Sequence, residues 1–410
     1  MSATAERRPP AIVENTRSML ERPLASYQLV LGATALLLGL GLIMVLSASS
    51  VYSRDANGGN SYATFTRQLM FAGLGLAGAV IAARMPLATM RKLVVPALVV
   101  SVGMVVATFF IGIEIRGNKN WIPLFGGFLL QPSEFAKLTV ALWIAHWYAG
   151  HPKALNTPRL IVLPMVPVTG FVAMLVVFQR DLGTALVLFA LIVGMLWVVG
   201  LPARQMSAVG AGVFALLVLF VATAPHRVAR LLNFTNPLAD PDNAGYQSIH
   251  ASMALARGGF WGVGLGGSRQ KWGALPEAHT DFILAVMGEE LGLLGTVVVL
   301  ILFLVLAIAG IRIATRARDP FARYVAAGIT IWIVAQTAIN VGMVVGLLPV
   351  IGIPLPLMSY GGSSMLVTLV AMGVLLNCAT HEPGARRALE VGRAAKARGR
   401  TARPRNVRKV

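Results

Sequence analysis

The sequence predicts an all-α polytopic membrane protein with ten transmembrane helices, and three observations carry that expectation. Apolar runs of about 20 residues, the length a helix needs to cross the hydrocarbon core, recur from Leu29 to Cys378. Hydrophobic residues make up 56% of the chain and charged residues only 12%, about half the charged share of a soluble domain. Lys and Arg are also distributed unevenly between the runs, as the two sides of a membrane require. The spans are expected at 28–48, 68–84, 93–112, 132–149, 160–178, 182–200, 206–224, 281–311, 322–347 and 362–379.

Orientation follows from the flanks. With the N-terminus inside, 24 of the 35 Lys and Arg lie in cytoplasmic segments and 10 in external ones, with Lys137 inside the fourth span. Both termini are therefore expected in the cytoplasm. The large loop 225–280, between spans seven and eight, is expected outside. Residues 1–27 carry Arg7, Arg8, Arg17 and Arg22 without an apolar core, and read as a cytoplasmic leader, not a cleaved signal peptide. The tail 381–410 holds ten Lys and Arg after Pro383 and contributes much of the net charge of +19. Beside a final span, such a tail is expected to meet the anionic inner leaflet or an acidic partner, and no nucleic acid. The single cysteine, Cys378, excludes an intrachain disulfide and a Cys-rich metal site.

Taken in order, the first span ends in Ser47-Ala48-Ser49-Ser50, and Arg67 opens the second span from the same outer side. In the next external loop Arg116 and Lys119 precede Trp121, an expected interfacial anchor. Pro132 suits a first helical turn. Glu134 and Lys137, three apart, share one face of the fourth helix. A pair inside a span implies either a polar cavity or a salt bridge between helices, because facing lipid would be costly. Asp181, in the short turn before the sixth span, is placed to cap that helix or to hold charge at the outer face. Tyr246 to Arg257 reads as an amphipathic helix on the membrane surface, with Ile249, Met253 and Ala256 on one side. Gly262, Gly264 and Gly267 have the G-x-G-x-x-G spacing but no preceding strand, so they are expected to make tight turns. Leu348 to Ser364 carries Pro349, Pro354 and Pro356; irregular backbone at membrane depth must lie against protein or a water-filled cavity. Gly361, Gly362, Ser363 and Ser364 at a helix N-terminus form a candidate anion site. No G-x-S-x-G is present, so no serine nucleophile is expected.

The chemistry concentrates in Lys271 to Gly292. His279, Thr280 and Asp281 directly precede the eighth apolar run, and Glu289 and Glu290 lie inside it. Ionisable groups placed there are functional candidates by default, against the alternative that Asp281 caps the helix.

Together, the stretches LGLIMVLSASSVYS, NWIPLFGGFLLQPSEFAK, QRDLGTAL, NPLADPDNAGYQSI, LPEAHTDFILAVMGEELGLLG and LLPVIGIPLPLMSYGGSS resemble, in order over residues 28–380, the SEDS family (shape, elongation, division and sporulation) of bacterial cell-wall synthesis. The SASS end of the first span and LPEAHTDF are most similar to its division branch. The resemblance implies a peptidoglycan glycosyltransferase that polymerises lipid II into a nascent glycan strand at the outer face of the cytoplasmic membrane, at the septum. It implies a class B penicillin-binding protein (a transpeptidase) and other division-complex proteins as partners. It maps the essential acid onto Asp281 and the polar cavity onto Arg67, Lys119, Glu134, Lys137 and Asp181. His279, Thr280, Ser359 and Ser363, within the matching motifs, complete the substrate-binding candidates. One position departs from the family: Asn120 stands where Arg usually precedes the Trp, so Arg116 or Lys119 takes over that charge or the charge is dispensable.

The residue types suit that chemistry. A sugar hydroxyl attacking an anomeric carbon needs a general base, for which Asp281 is the candidate. A diphosphate leaves as an anion, so cations replace a general acid: Arg67, Lys119 and Lys137, with room for a divalent ion, Mg or Mn, whose ligands the sequence does not show. Three other readings stay open: a lipid II flippase, an elongation-type paralogue with the same chemistry, and a scaffold recruiting division proteins through its tail.

Overall fold

The structure, a computed structural model, describes residues 22–115, 118–124, 128–222, 236–243 and 245–391, with 228 and 234. The leader through residue 21, Arg116 and the tail from 392 lie outside the described residues. The helices are α1 (Ala25–Ala56), α2 (Ala63–Arg84), α3 (Leu87–Ile111), α4 (Pro132–Gly150), α5 (Pro158–Phe178), α6 (Leu182–Val199), α7 (Ala203–Ala222), α8 (Tyr246–Gly258), α9 (Ile283–Arg316), α10 (Pro320–Val344) and α11 (Gly362–Ala379). All but α8 fall on the ten expected spans, and α8 is the expected loop helix.

Among the described residues nine of these helices are long and apolar enough to cross a membrane. The expected span outside that set is α4. It carries Ser133, Glu134, Lys137 and Thr139 within its first two turns, and all four are buried. A helix enclosed by protein can be less apolar than one facing lipid. The burial gradient agrees: 83% of the most apolar stretch of α11 and 67% of that of α10 are buried, against 22% for α2 and none for α7. Helices α4, α10 and α11 therefore form the centre. The outer helices present Leu74, Ile81, Val99, Phe214 and Leu219 to their surroundings, as a lipid-facing surface does. Small residues bring α2 and α11 together: a Cβ at Gly373 would stand 2.2 Å from the Ala79 carbonyl oxygen. Close backbone approach of this kind drives packing where lipid removes the hydrophobic incentive.

Three features go beyond the expected layout. Helix α1 runs 32 residues, past the Ser47–Ser50 segment to Ala56, so those serines are helical. Helix α9 runs 34 residues but is interrupted at Gly292 (φ 70°, ψ −167°). The loop between α3 and α4 is not all irregular. β1 (Ile113–Ile115), β2 (Asn118–Pro123) and β3 (Leu129–Leu130) form a small antiparallel sheet, with Ile113 opposite Trp121 and Ile122 opposite Leu130. Strands of two to six residues are too short for a period-2 pattern to stand out in sequence.

Helix α8 buries Ala251, Ala254 and Gly258, not the larger apolar residues, and leaves Met253 exposed. Its small face is required by contact with α9, since a Cβ at Gly258 would fall 1.9 Å from the Gly288 carbonyl oxygen.

Candidate active site

Asp281 lies one residue before Phe282, the N-cap of α9, and is half-buried. Its position is set through its backbone. Asn340 of α10 donates from Nδ2 to the Asp281 carbonyl oxygen at 2.8 Å and to the Ile353 carbonyl oxygen at 2.7 Å. One buried amide thus joins the start of α9 to the irregular segment 348–361. Next to Ile353, Gly352 is exposed with φ 79°, and a Cβ there would stand 3.4 Å from Asp281 Oδ2. Gly352→Ala therefore adds a left-handed residue costing roughly 1–2 kcal/mol and crowds the carboxylate. The expected outcome is a fall in catalytic turnover of about 10–100-fold with the protein still folded, read alongside thermal unfolding. Unchanged turnover would separate Gly352 from the site.

Beside Asp281 is a ladder of rings. Tyr52 of α1 stacks on His279 at 4.7 Å between centroids, and Tyr360 lies across His279 at 5.5 Å. The Tyr360 N–H donates to the His279 carbonyl oxygen at 2.9 Å. Burial, the larger influence, pushes the Tyr360 phenol up from its ordinary value against the pull of the nearby Arg67 guanidinium, so it stays protonated. Arg67 is exposed on the first turn of α2. Gln68, its neighbour, is buried and spans the same segment, donating to the Ser359 carbonyl oxygen at 3.1 Å and accepting from the Gly361 N–H at 3.2 Å. Helix α11 starts there with no capping side chain on Gly361.

The remaining candidates form the framework below this surface. Lys137 donates to Glu134 Oε1 at 2.8 Å and to Gln336 Oε1 at 2.9 Å, and lies 5.2 Å from the Trp332 ring. Gln336 in turn donates to the Pro354 carbonyl oxygen at 2.8 Å. Glu134 and Lys137 are each 1% exposed. Asp181 is the N-cap of α6: it accepts from the Thr184 N–H, the Thr184 hydroxyl, Asn120 Nδ2 and Gln131 Nε2, each at 2.9 Å. Asn120, at the position that departs from the family, thus meets Asp181 with a neutral amide. Lys119 donates to the Phe109 carbonyl oxygen at 2.8 Å, closing the last turn of α3. The Ser359 hydroxyl accepts from the Leu355 N–H and that of Ser363 from the Gln131 N–H. Thr280 donates to the Glu277 carbonyl oxygen at 3.2 Å. Of the three cations considered for a diphosphate, Lys137 and Lys119 are thus engaged in the framework, and Arg67 is the exposed one, next to Tyr360.

Glu289 and Glu290 have a different task. Glu289 pairs with Arg257 at 2.9 Å and accepts from Ser268 and from the Arg269 N–H; Glu290 pairs with Lys271 at 2.9 Å and accepts from Ser47 at 2.8 Å. The Val263 and Gly264 N–H groups bond the carbonyl oxygens of the same two glutamates. The loop is clamped onto α9 where Gly292 breaks the helix, and Gly262 (φ 81°) admits the contact, since a Cβ there would lie 2.3 Å from the Glu290 carbonyl oxygen. This fixes the 262–271 segment against α9.

Sequence reasoning missed Tyr52, Gln68, Gln336, Asn340 and Tyr360. A signal was present for two of them: Gln336 and Asn340 are four apart inside an apolar span and therefore share a face. Among the described residues no three His, Cys, Asp or Glu side chains cluster as a metal site.

Comparison with known proteins agrees with this architecture. The chain matches the cell cycle protein family of FtsW, RodA and SpoVE over residues 27–383. It is 41% identical over 376 residues to the probable peptidoglycan glycosyltransferase FtsW of Mycobacterium tuberculosis, covering 91% of this chain and 71% of that one. It is 39% identical over 352 residues to stage V sporulation protein E of Bacillus subtilis, covering 85% and 95%. Among solved structures, it resembles a chain of a peptidoglycan synthase complex that coordinates polymerization and crosslinking, with TM-score 0.67 and 28% identity over 87% of this chain and 98% of that one. It also resembles the rod shape determining protein RodA of Thermus thermophilus, with TM-score 0.61 and 27% identity over 86% and 97%. With nearly its whole membrane domain matched in sequence and in fold, the chain belongs to the FtsW, RodA and SpoVE family of multi-pass membrane proteins.

Proposed function

We infer that the chain is a peptidoglycan glycosyltransferase of the division type, polymerising lipid II with Asp281 as general base. The observation that carries the assignment of Asp281 is a contrast among the acids in and around the spans. Glu134, Asp181, Glu289 and Glu290 are buried. Asp281 is half-buried, anchored by its own carbonyl and bordered by an exposed glycine. A carboxylate so placed can reach a substrate from the surface.

In the proposed step, an Asp281 carboxylate oxygen takes the proton of the acceptor sugar's C4 hydroxyl as that oxygen attacks the anomeric carbon of the donor. The bond to the lipid diphosphate breaks and the configuration inverts, so one base suffices where a retaining hydrolase needs paired carboxylates. Arg67, with the uncapped N-terminus of α11 beside it, meets the charge on the departing diphosphate. Tyr52, His279 and Tyr360 line the approach between the two. Similarity to a peptidoglycan synthase complex chain supports a class B penicillin-binding protein as partner. The relatives named FtsW support a role in division over one in elongation.

Catalysis at the outer face requires the orientation given by the Lys and Arg count. Cysteines placed at Trp272 and Val391, 69% exposed at each position, are expected to react with an impermeant maleimide from opposite sides of the membrane, outer for Trp272→Cys and inner for Val391→Cys. Cys378 is buried and stays silent. Labelling from one side alone would rule out an odd number of crossings between them. The test of Asp281 itself is glycan synthesis by Asp281→Asn.

A further inference from the structure

A second site lies at the opposite end of the bundle from Asp281. The α4–α5 connection carries a recess of about 430 Å³ lined by Trp147, Gly150, His151, Lys153, Leu160 and Pro164, within the range of about 300–1,000 Å³ usual for small-molecule sites. Pro164 lies inside α5. It has no N–H for the Leu160 carbonyl, so one helix hydrogen bond is missing where α5 lines the recess. The walls divide by chemistry. Leu160 and Pro164, four apart, make an apolar strip along α5, and Leu160 is half-exposed to the surroundings of the bundle. Trp147 faces them, with His151 stacked on its indole at 4.0 Å.

The rim is cationic. Lys153 lines the recess, and the Arg91 guanidinium reaches it from α3, lying 3.1 Å from where a Cβ at Gly150 would sit. Residues 84–92 and 150–160, around two of the connections at this end, hold Arg84, Arg91, Lys92, Lys153 and Arg159 and no Asp or Glu. Among the described residues neither Arg91 nor Lys153 makes an ion pair. An apolar wedge open to the membrane, with unpaired cations at its mouth, is complementary to a molecule with an acyl chain and a phosphate.

We propose that the recess between α4 and α5 binds one anionic phospholipid, its phosphate between Arg91 and Lys153 and an acyl chain along Trp147, Leu160 and Pro164. The Lys and Arg count places this end of the bundle at the cytoplasmic leaflet, where anionic lipids are concentrated and each nearby cation adds to the attraction. His151, whose Nδ1 lies 3.0 Å from the Trp147 carbonyl oxygen and is the donor there, keeps Nε2 for the headgroup. The site is separate from the glycosyltransferase machinery and does not depend on it.

The test is native mass spectrometry of the full chain in detergent with equal amounts of phosphatidylglycerol and phosphatidylcholine of the same acyl chains. One phosphatidylglycerol is expected to be retained, preferred by about thirtyfold, as two cations each contributing about 1 kcal/mol imply. Arg91→Gln with Lys153→Gln should bring the preference close to one. Leu160→Trp, which fills the wedge and removes no charge, should lose both lipids. Thermal unfolding checks that each variant folds, and phosphatidylglycerol should raise the Tm of the wild type but not of the double variant. An equal affinity of the wild type for both lipids, or an undiminished preference in the double variant, would overturn the proposal. So would displacement of the lipid by equimolar glycerol 3-phosphate, which would make the site one for a free anion.

Discussion

Asp281→Asn is expected to stop glycan synthesis, lowering turnover by about 10²–10⁴-fold, the usual contribution of a positioned general base. The substitution keeps the size of the side chain and most of its hydrogen bonding but cannot accept the proton of the attacking hydroxyl. Folding should survive, because the anchor from Asn340 goes to the Asp281 backbone carbonyl, which Asn retains. Binding of lipid II and of the transpeptidase partner should survive as well. The loss then appears in turnover and not in substrate affinity, the signature of an interaction made only in the transition state. Asp281→Glu tests geometry: its carboxylate is one methylene further out, and a misplacement near 1 Å costs about 10²-fold. Lipid II supplied directly in detergent needs no transport, so wild-type glycan yield from the Asn variant would leave Asp281 a structural residue.

Lys137→Met is expected to produce the largest change in stability. The Nζ of Lys137 bridges Glu134 on its own helix and Gln336 of α10, and Gln336 holds the Pro354 carbonyl of the segment that flanks Asp281. Removing the ammonium leaves the Glu134 carboxylate charged and 1% exposed, a change that costs about 3–5 kcal/mol. The double variant Glu134→Gln with Lys137→Met removes both charges and should recover more than half of that loss. Thermal unfolding of the two variants in the same detergent is the measurement. If Lys137→Met kept its thermal stability and lost glycan synthesis, Lys137 would be a ligand of the diphosphate and not a strut.

Hydropathy and charge placement made the membrane architecture legible, because crossing lipid imposes length and apolarity on each helix separately. A helix lies at each of the ten expected positions, nine of them, among the described residues, long and apolar enough to cross a membrane, and the loop helix and the start of α11 appear as well. What the sequence left open depends on contacts between distant residues. Glu134 and Lys137 are visibly on one face, yet only the arrival of Gln336, 199 positions along, shows what the lysine holds. Asp181 carried two readings, and the donors from Asn120, Gln131 and Thr184 favour the cap. Glu289 and Glu290 stood out as costly charges inside a span; their partners Arg257, Ser268 and Lys271 come from the loop folding back over α9. The break at Gly292 was hidden because one glycine in an apolar run is ordinary, and its function becomes evident only with the Gly258–Gly264 backbone against it. Tyr52 and Tyr360 lie 308 residues apart and meet through His279, a proximity that no local pattern encodes.

The central claim is that this chain joins lipid-linked sugars, and the most direct measurement supplies purified lipid II in detergent to the purified full-length protein, with and without a class B penicillin-binding protein whose transpeptidase site is blocked. The account predicts glycan chains of many disaccharides and release of the lipid diphosphate in step with each bond formed. Unconsumed lipid II in both reactions, together with protein-dependent movement of lipid II across sealed vesicles, would contradict it and make the chain a transporter of the precursor.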